Sequence, residues 1–186
     1  DVPVREDGER VEGPTTINRW AYANAKSLDE FLALAYFQTS KLPVVIVRLF
    51  NTVGPRQSGD YGMVIPKMIN AGLKNKNIQV YGDGLQTRCF CHVKDVINAL
   101  CSLMKTKDSF GEVINVGSDN EISMFKLAEL VSQSLNNNSK ISIIPYEEVY
   151  PNGGFEDMKR RVPSIDKIDN LINWKPTILL EEIVKD

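Results

Sequence analysis

The sequence predicts an α/β fold, because segments with helical periodicity alternate with short β-branched runs along the whole chain. The longest helical pattern runs from Trp20 to about Ser40 and ends before the breaker Leu42-Pro43. The run VVIVRLF at 44–50 follows, with little alternation of apolar and polar residues. Such a run is typical of a strand covered on both faces of a parallel sheet. A layered arrangement of helices and sheet follows from this order.

The rest of the chain continues the alternation. Residues 1–18 are polar and indicate a surface loop, in which Thr15, Thr16 and Asn18 can cap the first helix. The elements predicted further along are a loop at 51–62, a helix at 64–74, a strand at 78–81, a Gly-Asp-Gly turn at 82–84, a second extended piece to 93, a helix at 95–104, a strand at 113–116, a helix capped by Ser123 and running to about Leu135, a strand at 141–145, a loop at 150–161, and short helices at 164–172 and 178–185.

Composition bounds the class of protein. The 186 residues are 42% hydrophobic and 25% charged, which is ordinary for a globular chain. The formal net charge of -2 gives no basic field for nucleic acid. No apolar run approaches the ~20 residues needed to cross a bilayer, and the charged first residues do not resemble a signal peptide. We therefore expect a cytoplasmic protein with no nucleic-acid or membrane partner.

The cysteines indicate a reducing compartment and no metal site. Cys89, Cys91 and Cys101 are odd in number, which does not fit a disulfide framework. His92 follows Cys91 directly, so a metal site is conceivable, but no second pair of ligands lies nearby in the sequence. Ordinary buried thiols are the favoured interpretation.

Tyr22 and Lys26 stand four residues apart on the predicted first helix, within RWAYANAK. Residues at this spacing share one helix face, so both side chains can reach the same point above it. A phenol is a poor base at neutral pH, but a neighbouring ammonium favours the phenolate and makes proton transfer with a sugar hydroxyl feasible. Taken alone, the spacing favours a packing tyrosine beside a solvated lysine. The motifs that follow in the chain make it a candidate acid/base site.

Five motifs in order carry a resemblance that covers nearly the whole chain. They are RWAYANAK, VRLFNTVGPRQ, VYGDGLQTRCFCHVKDV, VINVGS and RRVPSIDKI. In sequence and spacing they resemble the later part of the extended short-chain dehydrogenase/reductases, specifically the NAD-dependent nucleotide-sugar epimerase/dehydratase family typified by UDP-glucose 4-epimerase. The resemblance implies the later strands and helices of a Rossmann-like sheet, together with a smaller mixed α/β substrate-binding domain. It assigns residues 1–56 to the Rossmann-like part. Residues 57–186 are assigned mainly to the substrate-binding domain, with some segments returning to the sheet.

The resemblance also implies a catalytic and cofactor-binding set. Tyr22 is then the catalytic acid/base, and Lys26 is its partner, which in the family also holds the nicotinamide ribose of NAD. Phe50 is then expected beside the nicotinamide.

A substrate-binding set follows from the same resemblance. Asn51, Arg88 and Arg161 are expected at the diphosphate of a nucleotide sugar, most plausibly a UDP-sugar, while Val80 and Tyr81 are expected to border the base. The residue types suit this chemistry, because a guanidinium matches phosphate oxygens at two points. Without the motif order, Arg88 reads as an exposed strand residue, Arg161 as part of a solvated basic cluster, and Asn51 as a cap of the turn before Gly54-Pro55.

The sequence departs from the family pattern at two places. Ser164 replaces the acid of RRxPD or RRxGD, so a ribose contact made by that carboxylate is weakened or passes to the hydroxyl. The family's opening strand and G-x-x-G-x-x-G turn, which cradles the cofactor pyrophosphate, have no counterpart in the 186 residues, nor has the serine or threonine that assists the tyrosine. We therefore expect the back part of such an enzyme, which alone binds NAD weakly or not at all and has no turnover.

Three functions remain open on this reading. The loop GPRQSGDYG favours a nucleotide-sugar 4-epimerase. The alternatives are a nucleotide-sugar 4,6-dehydratase or UDP-glucuronate decarboxylase, and a non-catalytic sugar-nucleotide-binding or assembly module. The family also implies a homodimer through the long first helix, where Leu28, Phe31 and Leu32 could serve either that interface or the sheet.

Overall fold

The structure is a computed structural model that describes residues 2–17, 19–60, 63–136, 139–150 and 158–186. Helices and parallel strand pairs alternate along it, which confirms the predicted α/β class. The helices are α1 Arg19–Ser40, α2 Val64–Leu73, α3 Val93–Leu103, α4 Met124–Ser134, α5 Tyr146–Val149, α6 Asp166–Ile172 and α7 Leu180–Lys185, with a 3₁₀ turn at Lys107–Ser109. The strands are β1 Ile46–Leu49, β2 Thr52–Val53, β3 Ile78–Tyr81, β4 Thr87–Cys89, β5 Cys91–His92, β6 Val113–Val116, β7 Glu121–Ser123, β8 Ile141–Ile144 and β9 Arg160–Arg161.

The strands pair across long stretches of sequence. Strand β1 pairs in parallel with β6, β2 with β5, and β3 with β8. Strand β4 lies at the centre of a three-stranded sheet, with β7 antiparallel on one side and β9 parallel on the other. Each parallel pair joins strands that are separated by a helix, as crossover connections require.

Two apolar cores hold these layers together. The first lies among α2, β3, α4 and α7 and includes Ile65, Ile78 and Leu127, each almost fully buried. The second lies among α3, β6 and α6 and includes Leu103, Ile114 and Ile168. Burial of such side chains contributes roughly 1.5–3 kcal/mol each, so the cores dominate the stability of the fold.

Polar caps fix where helices α3 and α4 begin. The Ser123 hydroxyl accepts a hydrogen bond from the Lys126 amide, as the sequence predicts. At α3, the buried His92 ring accepts from the Lys94 amide through Nδ1, and its Nε2 lies 3.0 Å from an Asp186 carboxylate oxygen. His92 therefore ties the start of α3 to the end of α7.

Asp95 joins the same helix to the segment before α7. Its buried carboxylate accepts hydrogen bonds from the Thr177 amide and hydroxyl and from the Ile178 amide, at 2.9–3.0 Å. Its carbonyl accepts from the Trp174 indole at 3.2 Å. Because a buried carboxylate must be hydrogen-bonded, this cluster fixes the chain between α6 and α7.

The structure corrects three local predictions. The strand at 44–50 is shorter, at Ile46–Leu49, and it is not covered on both faces, since three of its residues are half-buried and Leu49 is exposed. Within the described ranges it pairs on one edge only, with β6. The extended piece to 93 is two strands separated at Phe90, because β4 and β5 have different partners. The loop predicted at 150–161 ends in β9, and its residues 151–157 lie outside the described ones, as does the predicted cap Asn18.

None of the described helices combines the length and the apolar composition that crossing a bilayer requires.

Candidate functional site

A cleft of about 900 Å³ opens between α2, β3 and α5. Its volume is in the range of small-molecule sites in proteins. Four of the residues that the sequence predicts to bind substrate line it, namely Asn51, Val80, Tyr81 and Arg88. Polar residues that sequence analysis did not single out, including Gln57, Lys67, Lys76, Gln86 and Tyr146, also line it.

Arg88 and Arg161 lie opposite each other on neighbouring strands. They are register partners in the parallel pair of β4 and β9, so their side chains leave the same face of the sheet. Both are half-buried. Arg88 Nη1 donates to the carbonyls of Thr87 at 2.6 Å and Met158 at 2.8 Å, which fixes the direction of its guanidinium. The two predicted phosphate-binding groups are therefore side by side.

Arg161 lies over an aromatic ring, and neither it nor that ring, Phe50, is among the residues that line the cleft. Its guanidinium carbon is 5.2 Å from the centre of the buried Phe50 ring. Burial lowers the pKa of Arg161 below its ordinary value, the charge of Arg88 lowers it further, and Tyr22 opposes both effects. Two neighbouring cations in a partly dry site favour an anion that neutralises them. A diphosphate is such an anion.

Asn51 follows β1 and turns the chain beside this pair. Its φ of 41° lies in the left-handed region, which asparagine tolerates better than most residues. The side-chain amide donates to the Cys89 carbonyl at 2.7 Å, and the Asn51 carbonyl accepts from the Cys91 amide at 3.2 Å. Asn51 thus links the end of β1 to β4, the strand that carries Arg88. Its side-chain nitrogen is already used in the hydrogen bond to Cys89.

Aromatic and amide groups border another part of the cleft. Val80 is fully buried in the first core, whereas Tyr81 is half-buried. Gln86 donates through Nε2 to the Tyr81 carbonyl at 2.7 Å and to the Tyr146 hydroxyl at 3.1 Å. Gly82 has φ +74°, and a Cβ there would come within 2.4 Å of the Tyr146 ring, so glycine permits this close approach.

Sequence analysis missed Gln86 and Tyr146. Gln86 lies between the glycine turn and Arg88, which was a usable signal. Tyr146 is 60 residues further along, at the start of the four-residue helix α5, and no local pattern connects it to the cleft.

Tyr22 and Lys26 lie on an open face of α1. The Tyr22 side chain is 72% exposed, and Lys26 Nζ is 6.0 Å from the centre of its ring. Lys26 also pairs with Asp29 at 2.8 Å, and this hydrogen bond, followed by the Asp29 charge, raises the Lys26 pKa. Lys26 therefore remains cationic beside the phenol. The charge of the Tyr22 phenolate acts to raise the pKa of Arg161, which relates the α1 pair to Arg161 electrostatically.

Ser164 does not line the cleft. Its buried hydroxyl donates to the Asp166 carboxylate at 3.0 Å and accepts from the Asp166 amide at 3.4 Å, at the start of α6. The expectation that this hydroxyl replaces a carboxylate at a substrate ribose therefore has no support in the geometry.

Cys89 and Cys91 are buried thiols, as the sequence predicts. Burial, more than any neighbouring charge, raises the pKa of Cys89 and of Cys91 to about 12. Cys101 is exposed on α3. Within the described part of the chain, no cluster of three or more His, Cys, Asp or Glu side chains could hold a metal ion.

Comparison with known sequences connects this geometry to one group of enzymes. The profile of the family described as "GDP-mannose 4,6 dehydratase" matches residues 5–186. UDP-N-acetyl-alpha-D-glucosaminuronate decarboxylase of Bacillus cytotoxicus is 42% identical over 185 residues, which are 99% of this chain and 57% of that protein. UDP-glucuronic acid decarboxylase 4 of Arabidopsis thaliana is 34% identical over 175 residues, covering 90% of this chain and 37% of that protein. The chain thus spans little more than half the length of its relative from Bacillus cytotoxicus.

Solved structures with the same fold include two sugar-nucleotide epimerases. The UDP-N-acetylglucosamine 4-epimerase of Methanobrevibacter ruminantium, in complex with UDP-N-acetylmuramic acid, has a TM-score of 0.85 at 26% identity and covers 100% of this chain and 56% of its own. The UDP-glucuronic acid 4-epimerase of Bacillus cereus, in complex with NAD, has a TM-score of 0.81 at 26% identity and covers 98% of this chain and 53% of its own.

Proposed function

Since the chain belongs to the "GDP-mannose 4,6 dehydratase" family of NAD-dependent nucleotide-sugar enzymes, we propose that it forms the substrate-binding and acid/base part of a UDP-uronate decarboxylase. The choice of decarboxylation is supported by the two decarboxylases that resemble it at 42% and 34% identity. This ranking differs from the sequence-based preference for a 4-epimerase, which rested on the loop GPRQSGDYG. Of that loop, residues 61 and 62 lie outside the described ones.

The position of Arg88 opposite Arg161 is the observation that best supports the proposal of nucleotide-sugar binding. Arg88 lines a cleft large enough for a nucleotide, and the shared register sets the Arg161 guanidinium beside it. In this proposal the two arginines bind the diphosphate, with Asn51 beside them. Tyr81 and the core residue Val80 border the base at the far end. The substrate's sugar then extends past Arg161 toward Tyr22.

Tyr22 and Lys26 suit the acid/base step and the cofactor. Nothing in the described residues covers the Tyr22 hydroxyl, since its side chain is 72% exposed, so there is room beside it for a nicotinamide and a sugar. NAD, when bound, supplies hydride transfer at C4 of the sugar. Lys26, held by Asp29, would contact the nicotinamide ribose, and Phe50 beneath Arg161 would border the nicotinamide.

The proton chemistry of decarboxylation then follows from the position of the phenol. Tyr22 takes the proton of the C4 hydroxyl as that carbon is oxidised to a ketone. The C6 carboxylate is now β to a carbonyl, so the C5–C6 bond can break with its electron pair passing into the C4 enolate. Carbon dioxide leaves, C5 takes a proton from water, and Tyr22 returns its proton to O4 when the ketone is reduced. The phenol acts twice on one oxygen, and the arginines hold the substrate throughout.

Product analysis tests this proposal. The protein that carries this chain is incubated with NAD and either UDP-glucuronate or UDP-N-acetylglucosaminuronate, and the reaction is followed by carbon dioxide release and by NMR of the sugar. We expect carbon dioxide and a UDP-pentose from at least one of them. Recovery of both substrates unchanged, from protein that binds UDP, would contradict decarboxylation.

A 4-epimerase is the second candidate. It is supported by the similarity of the fold to the UDP-glucuronic acid 4-epimerase of Bacillus cereus, which covers 98% of this chain. The same incubation separates the two functions. Inversion at C4 without carbon dioxide release would favour the epimerase.

We also propose a homodimer through α1. Leu28, Phe31 and Leu32 are 59%, 68% and 51% exposed, and large exposed side chains on one helix favour an interface. The division at 56 into a sheet part and a substrate-binding part is proposed on the same family basis.

A further inference from the structure

One ion pair crosses the whole three-stranded sheet on the face opposite the two arginines. Glu121 of β7 reaches over β4 to Arg160 of β9, and both carboxylate oxygens accept from the guanidinium at 2.8 Å. The Thr87 hydroxyl, on the central strand, also contacts the Glu121 carboxylate. Bidentate pairs of this kind fix geometry more strictly than single contacts.

The alternation of side chains connects this ion pair to the cleft. Consecutive strand residues point to opposite faces, so Arg160 and Arg161 leave β9 in opposite directions. Arg161 shares its face with Arg88, and Arg160 shares its face with Thr87 and Glu121. A slip of β9 by one residue that set Arg161 opposite Thr87 would put Val162 opposite Arg88 and turn Arg161 to the far face of the sheet.

The β4–β9 pairing has an electrostatic cost on the cleft side. Like charges directly opposite each other on neighbouring strands destabilise the pair. Strand β9 is only two residues long, and the Thr87 amide donates to the Lys159 carbonyl at 2.8 Å just before it. Its register therefore depends strongly on side-chain contacts.

We propose that Glu121, with Thr87 and Arg160, is a positioning residue that holds β9 in register and so keeps Arg161 beside Arg88 as a two-guanidinium site for a diphosphate. This inference rests on the proposed nucleotide-sugar function. Glu121 and Arg160 act without touching the ligand, because they lie on the far face of the sheet.

The test separates binding of phosphate from binding of base. Affinities of the parent chain and of Glu121→Gln for UDP and for uridine are measured by calorimetry and ligand-observed NMR. If only about a fifth of the molecules keep β9 in the register that sets Arg161 opposite Arg88, the apparent UDP affinity falls about fivefold. The reason is that apparent affinity scales with the fraction of binding-competent molecules. Uridine affinity is expected to stay unchanged, because uridine makes no contact with Arg161.

Two further variants control for simple destabilisation. Glu112→Gln removes a similar surface ion pair, with Lys167 at 2.7 Å, and is expected to leave both affinities unchanged. The exchanged pair Glu121→Arg with Arg160→Glu restores opposite charges across the sheet and is expected to recover most of the UDP affinity.

The outcomes distinguish this inference from the proposed function. A parent chain that binds UDP no better than uridine would contradict the diphosphate site itself. A parent that prefers UDP and loses that preference in Arg88→Ala, but keeps it in Glu121→Gln, would overturn the positioning role alone. Equal losses of UDP and uridine affinity in Glu121→Gln would also overturn it, because they would indicate general destabilisation.

Discussion

The two ends of the candidate site are built differently. At the arginine end, each side chain is fixed by parts of the chain far apart in sequence: Arg161 by Phe50, Asn51 by Cys89, and Arg88 by Met158. At the end formed by Tyr22 and Lys26 on α1, Lys26 contacts Asp29 and Tyr22 of the same helix, and Tyr22 is largely exposed. The proposed substrate-binding groups are thus held by tertiary contacts, whereas the proposed acid/base pair lies on one helix. The two activities should be separable by mutation.

Tyr22→Phe should produce the largest effect, and on turnover alone. In the protein that carries this chain, loss of the phenolic proton should lower turnover by roughly 10²–10⁴-fold. UDP-sugar affinity should not change, because the proposed diphosphate contacts do not include the phenolic hydroxyl. Steady-state kinetics and equilibrium binding together measure the two quantities.

Tyr36→Phe is the matched control, because Tyr36 is exposed on the same helix. It should leave turnover unchanged. Full turnover in Tyr22→Phe would contradict the assignment of the Tyr22 phenol as the acid/base group. The contrast between the two ends of the site would then no longer hold.

Asn51→Ala should produce the next largest effect, on stability. The substitution leaves the Cys89 carbonyl without its 2.7 Å donor and places an alanine at φ 41°. The free energy of unfolding should fall by roughly 1–3 kcal/mol, measured by urea denaturation.

Asn51→Gly separates the two causes, because glycine accepts the positive φ but supplies no hydrogen bond. It should be less destabilising than Asn51→Ala. Unfolding midpoints equal to that of the parent in both variants would show that the arginine end does not depend on this turn.

The smallest effect concerns the pH dependence of the Glu121 ion pair. Hydrogen bonds from Arg160 and then Thr87 lower the pKa of Glu121 from 4.5 to about 2. The folded-state pKa lies below the unfolded one, so the contribution is complete above pH 4.5 and is lost as the pH falls toward 2. The melting temperature of Glu121→Gln should be slightly below that of the parent at pH 7, and the gap should close across this window. A gap that stays constant down to pH 2 would contradict the ion pair.

The local elements of the fold were readable from the sequence because their signals are local. The apolar period of α1, the Ser123 cap of α4 and the glycine turn at 82–84 each depend on a few neighbouring residues. Strand β9 carried no such signal, since two arginines have no strand pattern and their pairing with β4 is a tertiary contact. The incomplete covering of β1 could not be seen either, because it depends on which strands flank it.

The candidate site divides in the same way. The motif order named Tyr22, Lys26, Arg88 and Arg161, because family resemblance preserves chemistry at fixed spacing. It did not name Tyr146, Gln86 or Glu121, whose roles come from contacts over 34 to 60 residues of separation. It left open whether the Ser164 hydroxyl supplies a ribose contact or the contact is weakened, and the structure has that hydroxyl in local hydrogen bonds at the start of α6. Strand alternation explains why Arg161 shares the face of Arg88 and Arg160 does not.

Calorimetric titration of the chain with UDP, before and after Arg161→Ala, tests most directly whether the paired arginines form a diphosphate site. Loss of one charged hydrogen-bonding group should weaken UDP binding by roughly 10- to 100-fold. Arg5→Ala, which removes an exposed arginine paired with Asp7, should bind as the parent does. Equal UDP affinity in the parent and in Arg161→Ala would contradict the account.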